Sequence, residues 1–555
     1  MTTQNGNKKD SQRRIIVATV LSFLFFIAYD YLYMQPQQQA AQAQKAAQAQ
    51  QQANQAPQVQ TTATPSVVTN VATTNSPSVP KVNSNNHGII TTVTTNNSII
   101  QIDTLGRIAQ ATLTQEQYKT DDGERIKLFS DIQLRPLEIR FADRGVNAEA
   151  FKTPVTASSA TVNAKNGAQK LVLTQKLTST IVTKTLTFYP DGHYDLDVDV
   201  SNGFEYFITP GFRPDVIADM YADHGALLKM NDDSLTIVED EDLEHTNTFT
   251  GIKIASAFDR YYATVFYNFG TSMQVSLMPS NDDSPEIFVH GKDKLSVKGY
   301  MGPKDYVTLE SLHPELIDVI EYGWFTFIAK PMFSMLLFIY NIIGNWGWTI
   351  VATTIIIKLI LFPLAHKGMV SMNKLKELSP KIKSIQEKYD DKQKQSAAMM
   401  ELYKKEGANP MGGCLPILLQ IPVFFAIYRV LTNAIELKGA EWFLWFDDMT
   451  HEIVFPNLLD PYIVLPLLMG LTMYLQQKIT PNTIQDELQK KMFQFLPVVF
   501  TIFFIFFPAG LVLYWTVNNI FTVTHQYYLN RMFENARVQR HEDHLQSKKK
   551  NKKDK

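Results

Sequence analysis

One lysine sets the problem for this chain. Gly344 to Pro363, GNWGWTIVATTIIIKLILFP, is an apolar run carrying a single charge, Lys358. As a helix, about 20 residues at ~1.5 Å rise span a ~30 Å hydrocarbon core. A cation inside such a segment costs on the order of 2.5–3.5 kcal/mol, so it either snorkels to an interface or faces a wet interior. Both readings are open. The segment ends about 8 Å of rise beyond Lys358, within reach of an extended lysine stem. Against snorkelling, Thr354 lies one turn before Lys358 on the same face, with Val351 and Gly347 beyond, opposite an Ile/Leu stripe. That pattern suits a helix with lipid on one side and a hydrated recess on the other.

Elsewhere the composition is segregated. Lys+Arg and Asp+Glu number 52 and 54 in 555 residues, which excludes a generally basic nucleic-acid binder. A single cysteine, Cys414, excludes a disulfide framework or a cysteine-built metal site within the chain. The sequence contains no GxSxG, HExxH, Walker A or GxGxxG pattern, and no cofactor or metal is expected.

Residues 1–14 are polar and basic, and 15–33 form an apolar segment ending in tyrosines, read as a retained anchor with its N-terminus in the cytoplasm. Residues 34–87 are Gln/Ala-rich, then Thr/Ser/Asn/Pro-rich, and read as a disordered tether. From 88 to 306 the period becomes two. Thr180–Phe188, then Pro190-Asp191-Gly192, then Tyr194, Leu196, Val198 and Val200 alternating with aspartates make a hairpin with one buried face. The segment reads as a mostly antiparallel β-sandwich outside the cytoplasm.

Residues 307–343 are expected to hold amphipathic or interfacial helices, including one over Glu310–Tyr322. The first core span is placed at 344–365, a Lys-rich cytoplasmic helical hairpin at 366–411, and further spans at 412–435, 461–477, 493–508 and 509–530. An acid-rich outer loop covers 436–460, a cytoplasmic loop 478–492 and a basic tail 531–555. With six spans, every basic cluster falls on one side. In the hairpin, Lys381, Lys383 and Lys388 lie on a lysine-rich face that is a solvated surface or a contact for ribosomal RNA or lipid headgroups. Along the last span Tyr514, Asn518, Thr522 and His525 share one side, with Trp515 and Asn519 beside them. Such residues glue helices together in ordinary bundles. Together with Lys358, Thr354 and Gln420 they also supply enough polarity for a cavity open to the cytoplasm.

At this point NWGWTIVATTIIIKLILFPL, ELYKKEGANPMGGCLPILLQIPVFFAIYRVL and MFQFLPVVFTIFFIFFPAGLVLYWTVNNI resemble the YidC/Oxa/Alb membrane protein insertases, in their Gram-negative form. The resemblance covers about the C-terminal 230 residues. It implies an α-helical polytopic protein with six transmembrane helices, five of them an insertase core, and a large periplasmic antiparallel β-supersandwich. It further implies a non-enzymatic function: inserting and folding inner-membrane proteins through a hydrated, positively charged groove, with nascent membrane proteins and the bilayer as partners. The Sec translocon (SecYEG, SecDF), the ribosome and the signal-recognition receptor are the other partners it suggests. Substrate-contacting positions carry over to Thr354, Phe503, Phe506 and Trp515, and the groove cation to Lys358, where relatives usually hold arginine. The rival classes are an anion transporter, for which no inverted repeat is visible, and a membrane-anchored protein whose β domain binds or processes carbohydrate.

Overall fold

The structure, a computed structural model, describes residues 88–553 except 121–122, 131–132, 215, 217–223, 281–283, 390, 408–414, 452–459 and 481–486. The expected anchor at 15–33 and tether at 34–87 lie outside the described residues. Described residues up to 483 and from 494 onward belong to one compact unit.

Alternating side chains dictate the β region. Strands Ile181–Phe188 and Tyr194–Val200 pair antiparallel with Phe188 opposite Tyr194, across a turn in which Gly192 takes φ +93°. Their inward positions are buried, as a period of two requires, and Lys184 is among them. The strands fall into two sheets. One has the order Ile108–Leu113, Ser98–Asp103, Ile89–Thr94, Thr161–Asn163, its last pair parallel. The other is an antiparallel thirteen-stranded sheet, in which eleven strands run in order from Ile139–Phe141 to Thr156–Ala157 and the pair Gly225–Met230 and Leu235–Glu239 branches off strand Asn247–Phe258. Val93, Ile100 and Ile102 of the first share a core with Leu171, Leu186 and Leu196 of the second.

Strand Asn247–Phe258 is buried on both faces along its second half. Ile252, Ala255 and Ala257 face that core, whereas Ile254 and Phe258 join a second cluster with Leu309, Leu316, Phe333, Ile427 and Val430. Helices thus cover the back of the sheet. The helix expected over Glu310–Tyr322 is instead a short helix Tyr306–Leu312 followed by a 3₁₀ segment Pro314–Val319. The residue before a proline is pushed out of the helical region, and His313 sits at φ −167°.

The helical part contains α1 (Thr326–Ile343), α2 (Trp346–Lys388), α3 (Lys392–Glu406), α4 (Leu415–Asn433), α5 (Val464–Ile479), α6 (Glu487–Phe503) and α7 (Ala509–Lys553). Asn345 caps α2 by accepting from the Trp348 amide. The span placed at 344–365 continues into the hairpin without a break, because α2 runs unbroken through Pro363 and Pro380. Proline removes one intrahelical hydrogen bond, and the exposed ring of Pro363 displaces no packed neighbour. The first core span and the first arm of the hairpin are therefore one rod. Leu375, Leu378 and Ile382 on that rod pack against Met399, Leu402 and Tyr403 of α3.

Among the described residues, α1 and α2 are the helices long and apolar enough to cross a membrane. The count of six spans is thus not met there, and α1, expected at an interface, is one of the two. Physical reasons are visible: α5 has only 16 residues, and Asn518, Asn519, Thr522 and His525 dilute the apolar start of α7.

The close seat of the loop after α4 on α2 rests on a small residue. A Cβ added at Gly347 would lie 2.1–2.5 Å from Cγ, Cδ1 and Cβ of Trp442. Because Trp442 Cβ cannot move without its backbone, Gly347→Ala is expected to cost about 1–3 kcal/mol. Thermal melts of the detergent-solubilised full chain measure this, and an unchanged midpoint would refute the close seat.

Candidate functional site

The helical spacing of α7 presents Asn518 and Thr522 on one side, and the structure lays α2 and α4 along that side. Lys358 Nζ donates to Thr522 Oγ1 at 3.1 Å, and Thr522 Oγ1 donates in turn to the Asn518 carbonyl at 2.8 Å. The side-chain Oδ1 of Asn518 accepts from Gln420 Nε2 at 2.9 Å. A four-residue polar ladder therefore ties α2, α7 and α4 together. Asn518 is buried, whereas Lys358 and Gln420 are partly accessible.

Lys358 does not extend away to the end of its helix. Its amine is held by a neutral hydroxyl, and among the described residues no carboxylate pairs with it. A cation without a counter-charge, set among apolar helices, attracts an anion far more strongly than the same amine in water.

His366, two turns after Lys358, adds a further rung. Its Nδ1 lies 3.1 Å from Nε2 of His525, and the ring centroids are 5.4 Å apart. The excess is about two ring radii, so the imidazoles meet edge to edge through a shared N–H···N bond. Phe362 stacks on His525 at 4.5 Å. The sequence places His525 on the α7 face but does not single out His366, which lies just past the span placed at 344–365. The i, i+4, i+8 row from Lys358 would have reached it.

The remaining sequence-derived residues are distributed differently. Thr354 is buried, and its hydroxyl is turned back to the Ile350 carbonyl at 2.7 Å. Tyr514 is buried. Trp515 stands in an aromatic cluster, edge-on to Phe424 at 4.9 Å and tilted to Phe504 at 5.2 Å. Phe503 is half exposed and meets Phe507 at 4.8 Å. Phe506 lines a small recess with Arg260, Tyr428, Arg429 and Thr432. Of the hairpin lysines, Lys383 is exposed, Lys388 lies over the Tyr389 ring, and Lys381 is engaged by Glu406. No group of three or more His, Cys, Asp or Glu arranged to hold a metal occurs among the described residues.

Comparison with known proteins gives these helices a context. The family model described as 60Kd inner membrane protein matches residues 338–536, and the YidC periplasmic domain model matches 259–335. The membrane protein insertase YidC of Campylobacter jejuni subsp. jejuni is 47% identical over 534 residues, covering 95% of this chain and 98% of the relative. That of Wolinella succinogenes is 44% identical over 533 residues, covering 96% and 97%. A solved active YidC insertase with its first transmembrane domain resolved covers 80% of this chain and 95% of that one, at 18% identity and a TM-score of 0.36. Relatives this similar over nearly their whole length show that the chain belongs to the YidC family of membrane protein insertases.

Proposed function

We infer that this inner-membrane insertase receives the polar tail of a nascent membrane protein at the ladder between α2, α4 and α7. The observation that carries the reading is Lys358, a partly buried cation held by Thr522 with no carboxylate partner among the described residues. An acidic tail completes the missing pair by displacing one hydroxyl. At an effective dielectric near 20, one such pair at ~4 Å contributes up to roughly 4 kcal/mol before desolvation is subtracted. Apolar segments of the substrate then pass into lipid, and burial of their surface drives the process without nucleotide or covalent chemistry. Lysine lacks the planar fork of arginine, so attraction here is to charge rather than to bidentate geometry.

In this reading α2, α4, α5, α6 and α7 are the five core spans, both termini face the cytoplasm, and the β region stands in the periplasm. The distribution of lysine and arginine supports that orientation. Lys383 and Lys388 on the cytoplasmic hairpin are the candidate contact for a ribosome or signal-recognition receptor, and the Sec translocon is the partner expected within the membrane.

Protease-protected tail in vesicles, with protein levels matched, tests the reading with an acidic and a neutralised substrate. Lys358→Arg should retain insertion, Lys358→Ala should slow the acidic tail about tenfold, corresponding to ~1.4 kcal/mol, and Lys358→Glu should slow it further. Neutralising the tail should narrow the differences. Equal insertion of both substrates by every variant would leave Lys358 a structural residue of the helix bundle.

A further inference from the structure

The segment after α4 counts as acid-rich, yet its tip is Trp442-Phe443-Leu444-Trp445-Phe446. The structure turns three of these outward: Phe443 is 41% exposed, Leu444 73% and Trp445 44%, while Phe446 is buried beneath them. Large apolar side chains gathered at a loop tip carry a solvation cost unless something covers them.

We propose that this tip is a wedge seated in the outer leaflet of the bilayer that α2 crosses, at the boundary between headgroups and acyl chains. Its two ends are tied together by backbone hydrogen bonds, which hold the tip as a fixed turn. The Trp442 amide donates to the Phe446 carbonyl at 2.8 Å, and the Phe446 amide to the Phe443 carbonyl at 3.2 Å. Asn345 Nδ2 donates to the carbonyls of Glu441 and Trp442, and Trp445 Nε1 to the Pro461 carbonyl. The remaining amides at the turn, those of Phe443, Leu444 and Trp445, fit the hydrated headgroup boundary rather than the hydrocarbon core. Leu444 takes the left-handed φ of +60°, uncommon for leucine, and its side chain is the most exposed of the tip.

Two further features commit the tip to lipid rather than to a protein. It is continuous with the membrane-crossing surface: Trp348 on the first turn of α2 packs against Trp442 at 5.6 Å and Phe443 at 5.9 Å, and is itself 48% exposed. The exposed Ile342 and Ile343 at the end of α1 lie just before the same junction. Charge also limits depth. Glu441 and Asp447 bracket the tip and are exposed, and Asp447 is fixed by Tyr462, whose hydroxyl donates to its carboxylate at 2.7 Å. Carboxylates on both flanks stop the wedge at the interface, where Trp is at its most favourable.

The test uses the full chain with Cys414→Ala, which removes the single native thiol. Leu444→Cys carrying an environment-sensitive fluorophore is reconstituted into phosphatidylcholine and phosphatidylglycerol vesicles containing lipids spin-labelled near the headgroup. Asn166→Cys, in an exposed turn of the β region, is the control. The Leu444 probe should emit to the blue of the control and be quenched several-fold more strongly by the spin-labelled lipid. Emission and quenching equal to the control would overturn the proposal. A blue shift without lipid quenching, which reports burial against protein, would overturn it too.

Discussion

Asp103→Ala is expected to lower the stability of the β region by about 3–5 kcal/mol, the largest single-residue effect foreseen for this chain. Asp103 is fully buried at the end of strand Ser98–Asp103, in the four-stranded sheet. Its Oδ2 accepts from Arg107 Nε and Arg135 NH1, both at 2.9 Å, and its Oδ1 from the amides of Leu105 and Arg107. Arg107 reaches on to Glu138 at 3.0 Å, just before strand Ile139–Phe141 of the larger sheet. Lys184, from that larger sheet, enters the same space and donates to the carbonyls of Gly106 and Leu137 at 2.8 and 2.7 Å. Burial pulls the Lys184 amine down to about 7, so it carries only about half a charge there at neutral pH.

The cluster therefore bolts two sheets together with charges that depend on one another. Removing Asp103 leaves two buried guanidiniums facing each other and two amides without an acceptor, which is why truncation of one member costs more than the intact cluster contributes. Pulse proteolysis of the full chain in detergent, across a urea series, reads the unfolding of this region directly. A shift below about 1 kcal/mol would mean that water reaches the site and that the bolt is not dry.

What was legible in the sequence follows from which interactions are local. The hairpin from Ile181 to Val200 announces itself because period-two alternation and a Pro-Asp-Gly turn are properties of consecutive residues. The same alternation places Lys184 on the inward face with Val182 and Leu186, but the carbonyls that make its burial tolerable come from segments 47 and 78 residues away. Strand Asn247–Phe258 loses the alternating signal because helices cover its second face. In the site, spacing alone grouped Asn518, Thr522 and His525. Their partners Gln420, Lys358 and His366 lie 98 to 164 residues away and are fixed by helix packing. Ending the first core span at 365 hid both the continuous rod and His366. Counting acids between 436 and 460 hid an apolar tip of five residues, because net charge says nothing about which side chains a turn presents.

The second large effect concerns Glu436, where the β region meets the end of α4, and it should appear as a loss of stability on going from acid to alkaline pH. Several contacts make this junction: Arg260 Nε donates to the Thr432 carbonyl at 2.8 Å, Asn433 Nδ2 to the Glu321 carbonyl at 2.6 Å, and Arg429 pairs with Glu321 at 3.4 Å. Glu436 accepts from the Tyr306 amide through Oε1 at 2.8 Å, while its Oε2 is sealed from solvent without a partner. Burial, reinforced by the nearby charge of Asp305, pushes its carboxyl up to about 8 against the opposing Tyr306 donation. The unfolded chain ionises this group near ~4.3, so between roughly pH 4.3 and 8 the folded state keeps a proton that the unfolded state has lost. Stability contributed by the junction therefore falls as pH rises through that window and stays low above it. At about 1.4 kcal/mol per pH unit the total reaches a few kcal/mol. Glu436→Gln retains the acceptor for Tyr306 and removes the titration. Melting curves of the full chain in detergent should thus coincide for wild type and Glu436→Gln near pH 4, separate steadily up to about pH 8 and keep a constant offset above it, with the variant the more stable. Asp305→Asn should shrink the separation by withdrawing the neighbouring charge. Parallel curves across the whole range would mean that Glu436 ionises in the folded protein much as it does in the unfolded chain, and that its titration does not load the junction.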